Sequence, residues 1–490
     1  MSGKIYYITT SIPYVNGLPH LGHALEFVQA DVLARYARAQ GKNTLFATGT
    51  DEHGTKVMEK AEEAKKTPKE FVDEMSAGFR EVLKTLNISN DRFIRTTDAA
   101  HEERSQIIWK NLSKDIYKGS YVGLYDVTQE EYVTESQADP ERLDPNHPKA
   151  YRKLEEENYF FRLSNYTQQI KTAIESNALR IIPSTKRNEI LSLLKEGLDD
   201  ISISRPSDKI SWGVPVPGDK TQVMYVWFEA LLNYITVLGY PEHADFKTFW
   251  PADVQIIGKD ILRFHAAIWP GILLSLGLPL QKTLYVHGHI GMNGQKMSKS
   301  IGNVVAPHEI VETYGVDAFR YFFMRHISSV EDGDFTWVKF EMAYNNELAN
   351  ELGNGVQRVV SMINKYQHGV IGDIPTAGHD MAAYHTALAD CRFDVALSEV
   401  WEQVRGLNQY IDEEKPWVIA KAGDEEHLRE VLAYTAGCII EIADLLEPFM
   451  PETSAKIVAL LDDGIVKQEA VGMGLFPKIY KHTTQPVQKG

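Results

Sequence analysis

Cysteine is nearly missing from this chain, since Cys391 and Cys438 are the only two among 490 residues. That scarcity excludes a disulfide framework and a thiolate zinc site, and it suits a reducing cytoplasm. Long apolar runs are also lacking. The longest, IWPGILLSLGLPL, is too short to cross a bilayer and is broken by glycine and proline. The opening MSGKIYYITT has no basic segment leading into an apolar run, so no secretory leader is expected. Positive charge is outweighed, with 51 Lys and Arg against 67 Asp and Glu for a net charge of −16. This argues against bulk coating of nucleic acid but leaves a local basic groove open, because binding responds to nearby charge. There is no internal repeat and no low-complexity tract. The length allows two to four domains, with an ordinary 43% of hydrophobic residues.

What is there is a pattern of alternating strands and helices. Lys4 to Thr9 (KIYYIT) reads as a strand. A helical face of Leu21, Ala24, Leu25, Val28, Val32 and Tyr36 follows and stops at Gly41, and Asn43 to Thr48 (NTLFAT) reads as the next strand. Two parallel strands around a helix require a right-handed crossover and predict a doubly wound, Rossmann-type parallel α/β sheet. Asp253–Ile257 and Thr283–His287 repeat the pattern around a helical stretch, Asp260 to Leu276. The expected organisation is a sheet domain in two halves, 1–113 and 218–290, interrupted by an insertion at 114–217. A loop and contact region at 291–343, an all-helical bundle at 344–480 and a tail at 481–490 complete it.

In such a sheet, ligands bind beyond the carboxyl ends of the strands. The loops expected there are TTSIPYVNGLPHLGH, GTDEHGT, GKD and HIGMNGQKMSKS, and they hold the least ordinary residues of the chain. His20, Gly22 and His23 open a helix whose free N–H groups and positive dipole end suit a phosphate, and the two imidazoles could donate to it in a transition state. In isolation His20 and His23 read equally as solvated first-turn residues. Lys296 and Lys299, in a glycine-rich loop, can neutralise a departing polyphosphate. Trp227, Ala230, Leu231 and Tyr234 share one helical face by their i, i+3, i+4, i+7 spacing, and Ile261 and His265 are one turn apart on another helix; a plain core face has the same spacing.

HLGH and KMSKS together resemble the paired signatures of class I aminoacyl-tRNA synthetases. SIPYVNGLPHLGH, TGTDEHG, YVWFEALLNY, GKDILRFH, VHGHIGMNGQKMSKS and EEKPWVIAK are similar in order and spacing to the methionyl-tRNA synthetases, over residues 4 to about 480. The resemblance implies ATP-dependent activation of methionine with Mg²⁺, then transfer to the 3′-terminal adenosine of tRNA(Met), the initiator tRNA included. It implies that His20, His23, Lys296 and Lys299 are catalytic and that these four, with Gly22, Gly258 and Asp260, hold ATP. Asp260 could equally cap a helix. By the same resemblance Ile12, Tyr14, Asp51, Trp227, Ala230, Leu231, Tyr234, Ile261 and His265 form the methionine pocket, with Asp51 on the substrate ammonium. The helical end becomes the anticodon-binding domain, with Asn354, Arg358 and Trp417 at the bases. A monomer in the cytoplasm, with no membrane partner, is expected.

The resemblance also marks a departure. Many members of the family hold zinc in the insertion, through a CxxC after GLY and a second ligand pair some fifteen residues on. Here Asp126-Val-Thr-Gln129 and the later pair Asp144 and His147 stand in those places. One imidazole, two carboxylates and a glutamine make a poor zinc set, so no metal ligands and no zinc are expected.

Overall fold

Six short strands make the central sheet of the computed structural model: β1 (Ile5–Thr10), β2 (Asn43–Thr50), β3 (Arg92–Arg95), β4 (Arg180–Ile182), β5 (Val254–Gly258) and β6 (Thr283–His287). Residues 3–126, 131–133, 138–145, 147–296, 305–461, 465–466 and 474–482 are described. The strand order is β3-β2-β1-β5-β6-β4, and the β1–β2, β1–β5, β2–β3 and β6–β4 ladders are parallel. The chain steps outward from β1 to β3, places β4 at the opposite edge, and then fills the gap with β5 and β6. This reversal opens a crevice beyond the carboxyl ends of β1 and β5. The four strands expected from sequence form within about two residues of their anticipated limits. β3 and β4, with the sequences RFIR and RII, are too short to show an alternating pattern. β4 lies inside the anticipated insertion, so that segment also supplies the sheet's edge. At Gly49 a side chain would meet the Ile94 carbonyl at 2.0 Å, which explains the glycine where β2 passes β3.

The chain divides into two compact units. Met1–Leu18, Asn43–Arg80 and Asn90–Val286 form the first; Pro19–Lys42, Glu81–Ser89 and His287–Gly490 form the second. The first contains the central sheet and an inserted antiparallel sheet built on the pairing of Ile116–Asp126 with Arg152–Phe161. Its core runs through Tyr7, Phe161, Tyr234 and Trp269, all buried. Buried Asp115 stands at the root of the insertion, where its carboxylate accepts from Tyr166 Oη and Ser275 Oγ, each at 2.5 Å.

The second unit contains helix α1 (Leu21–Ala39), a small sheet of Gln295–Lys296, Ile290–Met292 and Gly333–Phe335, and the long helices Phe393–Glu414 and Glu425–Leu446. Thirteen of the nineteen residues of α1 are buried, including Asp31. A buried charge needs partners, and Asp31 has three. Arg320 Nη2 and Arg35 Nε both lie 2.7 Å from Asp31 Oδ2, while Ser89 donates from its N–H and Oγ to Oδ1. Burial alone would raise the Asp31 pKa, yet Arg320, Arg35 and Ser89 hold it below the ordinary carboxylate value. Fully buried Arg320 also donates to the carbonyls of Leu86, Pro448 and Phe449, joining α1 to the helical end of the chain.

Arg320→Met is therefore expected to lower stability by about 3–5 kcal/mol, read as a lower urea midpoint. The double variant Arg320→Met/Asp31→Asn should recover part of that loss, because the stranded charge goes too.

Candidate active site

The first unit contains a small cavity lined by Ser11, Ile12, Asp51, Trp227, Ala230, Leu231, Asn233, Tyr234, Ile261 and His265. Its aromatic wall comes from helix Val226–Leu231 and the short helix Asn233–Thr236, which keep one face through the break at Leu232. Ile261 closes a 3-10 turn at the end of β5, and His265 follows in a π-turn spanning Phe264–Ile268. Such turns recur at functional sites because they re-aim side chains. Phe264, which sequence reasoning missed, stacks on Trp227 with ring centroids 4.1 Å apart; its place in GKDILRFH was the available signal. Tyr14 is not among the cavity's lining residues. It forms a bridge with Asp51, fixed by Asp51 N–H donating to the Pro13 carbonyl and Val15 N–H donating to the Asp51 carbonyl.

His265 is neutral here for a physical reason. Burial pushes its pKa down to about 4, although its hydrogen bond to the Ile261 carbonyl works the other way. Nδ1 donates to that carbonyl at 2.9 Å, leaving Nε2 to accept from Tyr234 Oη at 2.6 Å. Both ring nitrogens are thus engaged within the protein, and the ring presents a shaped wall to the cavity.

The segment after β2, Asp51-Glu52-His53, is buried throughout. Glu52 faces away from the cavity chemistry: Arg95 Nε and Nη2 meet its two oxygens at 2.7 and 2.9 Å, and Trp212 Nε1 donates to its carbonyl. His53 Nδ1 lies 2.7 Å from Glu229 Oε1. Burial would lower the His53 pKa, but Glu229, Glu102 and Asp51 hold it at about 10. His53 is therefore an imidazolium at neutral pH.

In the second unit His20 caps α1. Gly22 N–H donates to His20 Nδ1 at 3.0 Å, and His20 N–H donates to His23 Nδ1 at 3.3 Å. The imidazoles stack with centroids 4.0 Å apart. Because both Nδ1 atoms accept, each neutral ring carries its proton on Nε2, where it can be donated. Burial first, then His20 and His287, push the His23 pKa well below its usual value. A side chain on Gly22 would stand 2.9 Å from His20 Cε1, so this glycine makes room for the imidazole. The first turn has no acidic residue, which suits an anion.

Gly258 ends β5, and exposed Asp260 sits inside the following 3-10 turn, whose N-cap is Gly258. Lys296 lies on the hairpin Ile290–Met292 and Gln295–Lys296, turned by Asn293 and Gly294 at φ 53° and 74°. Lys299 lies outside the described residues. Asn354 and Trp417 are exposed, and Arg358 is partly buried and paired with Asp412. At the insertion positions that hold zinc in other members of the family, Asp126 is buried against Arg142 Nη1 at 2.7 Å, and His147 Nδ1 accepts from Lys149 N–H. Gln129 lies outside the described residues. A carboxylate neutralised by a guanidinium does not fit a zinc ligand, and among the described residues no three His, Cys, Asp or Glu are grouped to hold a metal.

The family model described as tRNA synthetases class I (M) matches residues 6–141 and 142–360. A methionine–tRNA ligase of Brucella melitensis biotype 1 is 43% identical over 479 residues, covering 94% of this chain and 92% of the relative. This chain belongs to the methionyl-tRNA synthetases of class I. A Thermotoga maritima methionine–tRNA ligase is 41% identical over 470 residues, covering 92% and 74% of the two chains. The Mycobacterium tuberculosis methionyl-tRNA synthetase solved with methionyl-adenylate superposes with a TM-score of 0.88 at 38% identity, covering 97% of each chain. The family's α/β sheet and helical end are the architecture seen here.

The charged His53 yields a signed expectation. Its folded pKa of about 10 exceeds the unfolded value of 6.5, so the stability it contributes is full below about pH 6.5 and is lost as pH rises toward 10. Thermal melts between pH 6 and 10 should fall more steeply for the wild type than for His53→Gln; equal slopes would remove His53 as the cause.

Proposed function

We propose that this synthetase is a methionine–tRNA ligase, which activates L-methionine with ATP, releases pyrophosphate, and transfers the methionyl group to the 3′-terminal adenosine of tRNA(Met). What chiefly supports the reading is one cavity that gathers Asp51 with Trp227, Ala230, Leu231, Tyr234, Ile261 and His265. A carboxylate at one end of an aromatic and aliphatic wall matches an ammonium joined to a thioether side chain. The relative solved with methionyl-adenylate is consistent with ATP as co-substrate.

In the first step a methionine carboxylate oxygen attacks the α-phosphorus of ATP, forming the acyl-phosphate bond while the bond to pyrophosphate breaks. No general base is needed, because the nucleophile is already ionised. Catalysis is then positioning and charge stabilisation. His20 and His23 donate through Nε2 to phosphate oxygens, Lys296 and Lys299 neutralise the leaving pyrophosphate, and Mg²⁺ arrives with ATP as part of that substrate. Gly258 and Asp260 hold the nucleoside, with the Asp260 carboxylate accepting from ribose hydroxyls. In the second step a ribose hydroxyl of the tRNA attacks the methionyl carbonyl, and AMP leaves.

The helical segment 344–480 reads the anticodon on this proposal. Exposed Trp417 offers a stacking face, and Asn354 with Arg358 offers hydrogen bonds to base edges. The initiator tRNA belongs among the substrates. Among the described residues no helix is long and apolar enough to cross a membrane, and a monomer in the cytoplasm completes the proposal.

ATP–pyrophosphate exchange driven by methionine, and by no other amino acid, is the direct test. Lys299→Ala should slow that exchange by about tenfold or more, since it removes charge felt mainly in the transition state. Trp417→Ala should lower tRNA charging and leave the exchange rate intact. Equal damage to both reactions would make Trp417 a structural residue instead.

A further inference from the structure

The helix Val226–Leu231 turns Trp227, Ala230 and Leu231 toward the cavity, which leaves Glu229 on its opposite face, about 200° around the axis from Trp227. Glu229 is fully buried. A carboxylate there would be strongly disfavoured unless its oxygens were engaged, and both are. His53 Nδ1 lies 2.7 Å from Oε1, and His101 Nε2 lies 2.8 Å from Oε2. An ionised carboxylate has no proton to give, so both imidazoles donate. His101 Nδ1 then accepts from Thr236 Oγ1 at 2.8 Å. The same histidine therefore grips both helical pieces that bear the cavity wall.

The other end of the clamp is equally placed. His53 is two residues from Asp51, in a segment pinned by Pro13, Val15, Arg95 and Trp212. We propose that Glu229, held between His53 and His101, is a positioning residue that fixes the reach between the Asp51 carboxylate and the thioether wall, and so selects a ligand carrying an ammonium at that distance. The inference rests on the methionine reading of the cavity. The local charge favours it: one imidazolium, His53, lies among the carboxylates of Glu229, Asp51 and Glu102, so the neighbourhood remains receptive to a substrate cation.

Glu229→Gln tests this without changing shape. A glutamine can accept from one imidazole only and turns an N–H₂ toward the other. In exchange assays the methionine KM should rise about tenfold or more while the ATP KM stays within about twofold. Inhibition by methioninol and by 4-(methylthio)butan-1-ol sharpens the test, because the two differ only by the ammonium. The wild-type preference for methioninol should shrink by about fivefold or more in the variant. Equal weakening of both inhibitors, or of ATP with methionine, would overturn the proposal in favour of a purely structural role, as would an unchanged methionine KM. If Glu229→Gln does not fold, His101→Gln should give the same split with smaller size, and its absence would equally overturn the proposal. Failure of the wild-type protein to exchange with methionine would instead sink the functional reading itself.

Discussion

The parallel register between β1 and β5 is the constraint on which the first unit's cavity depends. Ile8, Thr9 and Thr10 pair with Val254, Gln255 and Ile256, and Ser11 N–H continues the ladder to the Ile256 carbonyl. Those bonds bring two segments some 245 residues apart into one crevice, from which Ser11 and Ile12 leave on one side and the turn bearing Ile261 on the other. Asp51 joins them because β2 lies beside β1. A one-residue slip would invert every side chain along the strand, so this register leaves little tolerance.

Buried carboxylates then convert that frame into fixed positions. Asp31, Glu52, Asp115 and Glu229 are all buried, and each receives at least two donors from elsewhere in its own unit. An unpaired charge of this kind would cost several kcal/mol, against a total stability of about 5–15 kcal/mol for a typical domain. The chain cannot leave one stranded, so every donor is held in place as well. Glu52 and Glu229 in particular stand directly behind cavity residues, Asp51 and Ala230, and immobilise what those residues present.

Eight of the ten residues lining the cavity were legible through the family resemblance of their motifs, helped by an i, i+3, i+4, i+7 face that survives the break at Leu232; Ser11 and Asn233 were not, and Tyr14 does not line it. Four strands were legible from β-rich runs. β3 and β4 were not, since four and three residues carry no periodicity. The Glu229 clamp was hidden for a different reason. Its partners lie 128 and 176 residues away in sequence, and His101 sits in AAHEER, which reads as a solvated helix face. At Gly22 the missing side chain leaves room for the His20 ring, a packing reason that the HLGH motif does not reveal. Sequence pattern reports the local face of a helix; which long-range partner satisfies a polar residue is decided only by the fold.

Three histidines show how the same side chain is divided among tasks by its surroundings. His265 is enclosed by apolar walls with its nitrogens already bonded, and burial keeps it neutral, with a pKa of about 4. His23 is half-buried beside other imidazoles; loss of hydration and those neighbours disfavour its charge and leave a neutral Nε2–H donor. His53 is just as buried, yet carboxylates surround it and hold its pKa at about 10. Loss of hydration lowers the pKa of all three, so it cannot be what sets His53 apart; the carboxylates beside it do. A neutral donor can meet an anionic phosphate without carrying a proton that must later be shed. A permanent imidazolium between carboxylates instead stiffens a wall without titrating at physiological pH. The same imidazole thus serves as a neutral donor in one place and as a fixed cation in another, by the charges set beside it.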